Sequence, residues 1–432
     1  MPTPFPHQIT GAVFLANRNA ALLADEQRVG KTGSAITACD MVLAHKILIV
    51  TTATARAQWG YDFREWSGPH RKIQVVYSAS DRIAPDADVV VVGWVMASKH
   101  GLLKQFTARR WDVLILDESH YAKTPGAART QAAYGTAELP GLRRCAARVW
   151  CLSGTPIANA PNDLWTMLHA LDPERIDGMS YNAFMHRYCV VKKKYVGGQW
   201  IEYAIKGRNE DELRERLKGF WLRRTQADVG IKPPIFSVFP LHIEAAPAEL
   251  RDITPERAVA ILDMFDAEEV DSGFATLRRV TGVAKAHGVV DAVKEALDNG
   301  LDKVVLMHWH TEVGEILRNG LYSYGVVGID GSTPATKRQA HVEAFQSGGA
   351  RVFVGQIIAA GEAIDLSSAC ELWFVEPSIV PKDMAQAAMR ITNHSQKRQA
   401  LVRVCAAANT IDEQSMEILT RKVKTIKQIM EK

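Results

Sequence analysis

A phosphate-binding pattern stands near the start of the chain. Asp25-Glu26-Gln27-Arg28-Val29-Gly30-Lys31-Thr32 follows directly on the short apolar run Ala21–Ala24. Gly30-Lys31-Thr32 closes the Walker A pattern, in which backbone N–H groups of a tight turn cradle phosphate. Lys31 then reaches the terminal phosphates and Thr32 ligates magnesium. A helix starting there aims its positive end at the same anion. Asp25 replaces the first glycine of the pattern, so a plain turn at a helix start is the competing reading of these residues alone.

A second run, Asp112–Leu116, ends in Asp117-Glu118-Ser119-His120. An acidic pair at the C-terminal end of a buried parallel strand, beside a phosphate loop, is where magnesium and water must be held. Asp117 is expected to bind the metal, directly or through water, and Glu118 to polarise the attacking water. Alone, the pair would serve equally as a cap on the next helix; the Walker A residues upstream tip the balance. A third apolar run ends in Ser153-Gly154-Thr155-Pro156. Its small hydroxyl residues are placed to sense the γ-phosphate, although in isolation they read as an ordinary Gly-Pro turn.

Buried strands must position these groups. The apolar runs Ala21–Ala24, Lys46–Thr51, Ile73–Tyr77, Asp88–Gly93, Asp112–Leu116 and Arg148–Leu152 are rich in Val and Ile, as parallel strands covered on both faces should be. Alternation with longer helix-like segments predicts a doubly wound α/β layer. From Pro161 to about Gly230 the pattern turns helical and aromatic, with a basic patch at Lys192-Lys193-Lys194 that reads as a solvated or phosphate-facing turn. Lys232-Pro233-Pro234, Pro240, Pro247 and Pro255 then interrupt regular structure. A second α/β series follows, with strands at Lys303–His308, Val326–Asp330, Arg351–Gly355 and Glu371–Val375, helices at Thr311–Arg318 and Thr336–Phe345, and a last helix over Ile411–Met430. The expected organisation is a first lobe over 1–230 with a helical insertion at about 161–230, a connector over 231–285 and a second lobe over 286–432.

Composition narrows the class. The chain has 432 residues, 47% hydrophobic and 23% charged, which excludes wholesale disorder. No apolar run reaches the length of a membrane span, and the N-terminus lacks a secretory pattern, so an intracellular protein of the cytoplasm or nucleoid (a host cytoplasm, if viral) with no membrane partner is expected. Lys and Arg number 52 against 48 Asp and Glu, so any polyanion must be met by a local stripe. Six scattered cysteines without a C-x-x-C pair argue against zinc and against a disulfide framework. His308-Trp309-His310 has ligand-like spacing but no Cys or carboxylate partner in sequence, and reads as core or surface histidine.

Taken in order, these motifs resemble those of the superfamily-two helicases, in particular the Swi/Snf-type double-stranded DNA translocases, over essentially the whole chain. Pro4–Gln8 with Gly11–Leu15, Thr51–Trp59, Asp117–Lys123, Ser153–Asn159, Leu222-Arg223-Arg224-Thr225-Gln226-Ala227-Asp228-Val229, Ile329–Pro334, Ala359–Ala369 and Thr410–Glu413 carry the resemblance. The Asp-Glu-Ser-His, Gly-Ser-Thr and Ser-Ser-Ala combination is most similar to the HepA-related annealing helicases. The resemblance implies two RecA-like lobes with a helical connector and ATP with Mg2+ bound between them. Lys31, Thr32, Gly30 and Arg28 would lie at the phosphates, with Gln8 at the base and Gly361, Asp365 and Arg390 supplied by the second lobe. It implies double-stranded or branched DNA as partner, contacted by Arg56, Gln58, Trp59, Ser332 and Thr333, with a monomeric motor relying on a further protein for targeting.

Two departures stand out. Arg28 occupies a glycine position of the family's phosphate loop. Asn393 replaces the second of two arginines in the last motif, the usual arginine finger, whose loss costs roughly 10³–10⁵ in rate. The sequence therefore also admits an ATP-dependent DNA-binding clamp with weak or no turnover and, as a third reading, a conventional strand-separating helicase.

Overall fold

The structure, a computed structural model, describes residues 2–67, 70–136, 140–157, 160–196, 199–241, 272–360, 364–378, 381–393, 396 and 398–407. Chain contacts divide it into two compact units, Met1–Gly230 and Ile231–Lys432. The strands are β1 (Ala20–Leu23), β2 (Ile47–Thr51), β3 (Ile73–Val75), β4 (Val89–Gly93), β5 (Trp111–Asp117), β6 (Ala146–Leu152), β7 (Cys189–Val196), β8 (Gln199–Gly207) and β9 (Trp221–Leu222) in the first unit. The second unit holds β10 (Ile235–Leu241), β11 (Val304–His308), β12 (Val326–Ile329), β13 (Val352–Gln356), β14 (Glu371–Phe374) and β15 (Leu401–Ala407).

The first unit is built on a parallel sheet in the order β3-β4-β2-β5-β6-β1-β9. Every residue of β2 and of β4 is buried, which is why these strands read as unbroken aliphatic runs: helices cover both faces. Each such Val, Leu or Ile contributes on the order of 1.5–3 kcal/mol by leaving water. Register places Leu152 opposite both Leu23 and Asp117. The C-terminal ends of β1, β6 and β5 are therefore level, and the loops that follow them open on one edge of the sheet. Beyond β1 lies the short β9, pairing Leu23 with Leu222, so the residues after Leu222 run alongside the phosphate loop.

The second unit has a parallel sheet in the order β10-β15-β14-β11-β13-β12. The helix Ser272–Asp298 lays Ala286, Val289, Val290, Val293 and Leu297 on the sheet against Leu306, Trp373 and Cys405. Both units are thus doubly wound α/β layers, as the strand–helix alternation predicts, of the RecA-like type that the resemblance implies.

Three expectations need correction. The stretch 161–230 is not helical throughout: β7 and β8 form an antiparallel hairpin, with a register shift at Val190/Val191 that hides the alternation from the sequence. The span 231–285 is not a plain connector, since β10 is the edge strand of the second sheet and one helix runs through 285 and 286. Pro240 lies within β10 and pairs with Ala406; at a sheet edge its missing N–H costs no ladder bond on the open side. Strand β15, Leu401–Ala407, adds an element absent from the predicted series. The expected helix over Ile411–Met430, Thr410–Glu413, Pro247 and Pro255 lie outside the described residues.

Candidate nucleotide and nucleic-acid site

The phosphate loop joins β1 to the helix Lys31–Met41. Gly30 caps that helix with φ +93°, and Arg28 is itself left-handed at φ +68°. Arg28 thus keeps the backbone geometry that a glycine would adopt freely, at a cost of roughly 1–2 kcal/mol for an L-residue. A side chain on Gly30 would come within 2.3 Å of Gln8 Nε2, and one on Gly33 within 2.5 Å of the Trp66 ring. The loop is closely lined: a side chain at Gly33 would meet the Trp66 ring, and at Gly30 it would displace Gln8 and strain a left-handed backbone. Lys31 Nζ donates to the carbonyls of Asp25 (2.9 Å) and Glu26 (3.1 Å), and Gly154 of the third motif abuts it. Thr32 follows in the first turn of the helix, partly exposed.

Gln8, expected at the base, is buried. Its Oε1 accepts from the Phe5 amide (2.9 Å) and its Nε2 donates to the Gly30 carbonyl (3.2 Å), so in this structure it ties the first helix, Pro6–Ala16, to the loop. His7 adds a ring-nitrogen contact to the Val29 carbonyl at 2.9 Å.

Asp117 ends β5. Its Oδ2 accepts from Thr51 Oγ1 (2.7 Å) and from the indole N–H of Trp59 (2.8 Å), and its carbonyl accepts from Trp94 Nε1 (2.9 Å). Burial, and then the neighbouring Glu118, push its carboxyl above the ordinary aspartate range, while these two donors and Lys31 pull it back. Glu118 is left-handed at φ +47°, and its Oε2 lies 3.3 Å from His120 Nδ1. The same imidazole nitrogen is 3.0 Å from Oγ of the wholly buried Ser153, which accepts the Thr155 amide at 3.2 Å. The second and third motifs are therefore joined through His120 Nδ1, which touches Glu118 and Ser153 at once, with Thr155 bonded to Ser153.

What the sequence did not reveal is the brace behind the loop. Arg224 donates from Nε to Asp25 Oδ1 at 3.0 Å, from a terminal nitrogen to Asp25 Oδ2, and from its other nitrogen to the His7 carbonyl. Asp25 has no exposed surface. Arg223 pairs with Glu26 (3.4 Å), and Gln226 bonds Glu26 Oε2 through its amide (3.0 Å) and the Gln27 carbonyl through its side chain (2.9 Å). The stretch Leu222–Val229 is thus a strap along the phosphate loop. An acidic residue at the loop's first position, with a double arginine later in the chain, is the sequence signal for it.

Two of the expected DNA contacts are buried and have internal partners. Trp59 is 2% exposed and serves Asp117. Arg56 is 9% exposed, bonds the carbonyls of Ala53 (3.0 Å) and Val76 (2.7 Å) and sits over the Tyr77 ring; burial lowers its pKa. The Trp59 N–H is taken by Asp117, and Arg56 is held through Nε and one terminal nitrogen. Gln58 is partly exposed and bonds Asp62 at 2.7 Å.

In the second unit, Ser332 Oγ (2.7 Å) and Thr333 Oγ1 (2.9 Å) both donate to Asp330 Oδ1, holding that carboxyl below its usual range and closing a turn whose tip, Ser332, is exposed. Asp365 Oδ1 accepts the Ser367 amide (3.1 Å), and the Arg390 carbonyl accepts the Leu366 amide (3.0 Å), so Arg390 sits beside the Asp365 turn. Asn393 donates to Ser367 Oγ at 2.6 Å. Gly361 and Asn159 lie outside the described residues. His310 has the carboxylate partner that its sequence neighbourhood lacks: Glu376, buried, meets His310 Nδ1 at 2.6 Å and the amides of Trp309 and His310 at 2.9 Å. This is a hydrogen-bonded clasp between the ends of β11 and β14.

The oxygen donors of Thr32 and Asp117 suit a hard divalent cation. Among the described residues no cluster of three or more His, Cys, Asp or Glu side chains is placed to hold a metal alone. No helix of the described chain is long and apolar enough to cross a membrane.

Residues 7–244 match the SNF2-related domain. The chain is 28% identical over 98% of its length to a Caenorhabditis elegans homologue of the SWI/SNF-related matrix-associated actin-dependent regulator of chromatin subfamily A-like protein 1. It is 26% identical over 96% of its length to the mouse DNA annealing helicase and endonuclease ZRANB3. It spans 61% and 40% of those two relatives. The Sulfolobus solfataricus SWI2/SNF2 ATPase core in complex with dsDNA aligns over 99% of this chain and 93% of that one, at 21% identity and a TM-score of 0.46. With more than half of its residues matching the domain, and with the phosphate loop, the Asp-Glu pair and the Leu222–Val229 strap in one unit, the chain belongs to the SNF2-related family.

Proposed function

We propose that the chain is an ATP-dependent translocase on double-stranded DNA, hydrolysing ATP to move along the duplex and to remodel or anneal it. The observation that carries the hydrolytic part is Asp117, fixed by Thr51 and Trp59 at the strand end level with the Lys31 loop, with Glu118 beside it in contact with His120. Lys31 exchanges the carbonyls of Asp25 and Glu26 for phosphate oxygens. Glu118 accepts a proton from water and is oriented by His120, whose bond to Ser153 carries the state of the site into the third motif. Mg2+, when bound through Thr32 and Asp117, would neutralise phosphate charge. Arg390 of the second unit is the cation proposed to assist turnover.

Support for DNA as the track comes from family membership and from relatives named as an annealing helicase and a regulator of chromatin. Ser332 and Thr333, with Gln58, remain the proposed phosphate contacts, so binding should be indifferent to sequence and steeply salt-dependent. A second reading, an ATP-dependent clamp that hardly turns over, is favoured by Asn393, which stands where the family's finger arginine would and bonds Ser367.

The test is ATP turnover without nucleic acid, with single strands and with duplex, beside Lys31→Ala, Glu118→Gln and Arg390→Ala. Strong duplex stimulation lost in all three variants is the expected result. Turnover equal to that of the variants, with ATP-dependent duplex binding intact, would replace the motor by the clamp.

A further inference from the structure

The β7–β8 hairpin is not used by the nucleotide site. Its base is anchored: Cys189 packs with Ala160 and Met185, and Val191 and Ala204 lie against them. Beyond that point the ribbon is exposed on both faces. Tyr195 is 62% and Trp200 69% exposed, values at which large aromatic rings contribute little to a core. Their cross-strand pairing steadies a ribbon that is marginal in water, yet most of each ring is left open.

The two faces differ in chemistry. Register pairs Lys192 with Tyr203 and Lys194 with Ile201 on one face, where Lys194 Nζ lies 5.5 Å from the Tyr203 ring centre. The other face carries the pair Tyr195 and Trp200, edge to face at 5.4 Å, and Lys193 there is neutralised by Glu202 at 3.3 Å. One face is therefore cationic and the other presents open π-surfaces. Bases stack on aromatic rings whatever their identity, and phosphates meet lysines. A continuous duplex offers phosphates but no unstacked bases. A branch point offers both, one strand on each side of a ribbon thin enough to stand between them.

Resting on the DNA-translocase reading above, we propose that the β7–β8 hairpin is a branch-reading element: Tyr195 and Trp200 stack on bases unpaired at a fork while Lys192 and Lys194 hold the phosphates of the other strand.

The experiment measures fluorescence anisotropy of two labelled oligonucleotides, a forked duplex and a blunt duplex of equal length, without nucleotide. The full chain is compared with Tyr195→Ala/Trp200→Ala and Lys192→Glu/Lys194→Glu, and binding of a fluorescent ATP analogue checks that each variant is folded. The parent should prefer the fork. The aromatic variant should lose about tenfold on the fork with little change on the blunt duplex, and the lysine variant should lose a similar factor with a shallower salt dependence. Unchanged fork affinity in both variants, or equal losses on fork and blunt duplex, overturns the proposal and leaves the hairpin to a protein partner. A parent that binds duplex and hydrolyses ATP on it but ignores the fork overturns the hairpin's role and leaves the translocase standing. Fork preference lost in the variants, without duplex-stimulated turnover in the parent, does the reverse.

Discussion

Arg224 and Asp25, 199 residues apart, form a buried two-point ion pair behind the phosphate loop, with Nε on Oδ1 at 3.0 Å and a terminal nitrogen on Oδ2. The pair turns the position of a missing glycine into an anchor: the loop is held from below by charge. Because Asp25 is wholly buried, removing its partner leaves an uncompensated carboxylate. Arg224→Ala should therefore cost about 3–5 kcal/mol, whereas Arg224→Met combined with Asp25→Ala should cost much less, since the charge goes with its partner. Urea unfolding of the three proteins checks this. Equal losses in the single and double variants would show that packing, not the pair, holds the loop.

Arg28 permits a cleaner test of backbone strain. Arg28→Gly and Arg28→Val both delete the guanidinium, so whatever it touches is lost equally. At φ +68° the β-branched side chain is the worse occupant. The valine variant should unfold about 1–2 kcal/mol more easily than the glycine variant and bind ATP more weakly. Similar stabilities would mean that the loop relaxes to another conformation.

The pieces legible in the sequence are those whose cause is local. Ile47–Thr51 and Val89–Gly93 announce themselves because both sheet faces are covered, Lys31 and Thr32 because they close a Gly-Lys-Thr pattern shortly after an apolar strand, and Asp117 and Glu118 because they stand at the end of one. The hairpin escaped because three consecutive lysines fall on alternate faces of a ribbon that has almost no buried face, and because a register shift interrupts it at Val190/Val191. Strand β10 escaped because its proline reads as a break until the strand is known to lie at an edge. Trp59 and Arg56 were expected at DNA because the resemblance places them there. Their burial, and the partnership of Trp59 with an aspartate 58 residues away, depend on how β2 and β5 pair, which no local pattern encodes.

The Trp59–Asp117 bond predicts a shifted pH profile. The indole N–H favours the ionised carboxylate, against burial and Glu118, which favour the acid. Trp59→Phe keeps an aromatic ring but deletes the donor, so the aspartate pKa rises further and the ionised fraction falls earlier on acidification. The acid limb of the ATPase profile should move to higher pH, with a larger loss in mildly acidic than in mildly alkaline buffer, and duplex affinity at fixed salt should not change. A loss of duplex affinity with an unmoved profile would return Trp59 to the DNA surface.

Acid sensitivity of the second unit should trace to His308. The ring is fully buried at the end of β11, its Nδ1 lies 3.0 Å from the His310 carbonyl, and its Nε2 has no partner among the described residues. Burial lowers its pKa from 6.5; Glu376 and Asp330 oppose that and Arg318 adds to it. The unfolded chain therefore takes up the proton first. Stability from the neutral ring is complete above 6.5 and is lost as pH falls below it, by at most about 1.4 kcal/mol per pH unit for one proton. Glu376 acts in the same direction at lower pH: burial opposes its charge, but bonds from His310 and two amides win and depress its pKa, so its contribution is lost on acidification below 4.5. Urea midpoints measured from neutral to mildly acidic pH should fall for the parent and fall less for His308→Gln. Parallel slopes would assign the sensitivity to other groups, the Glu376–His310 clasp first among them.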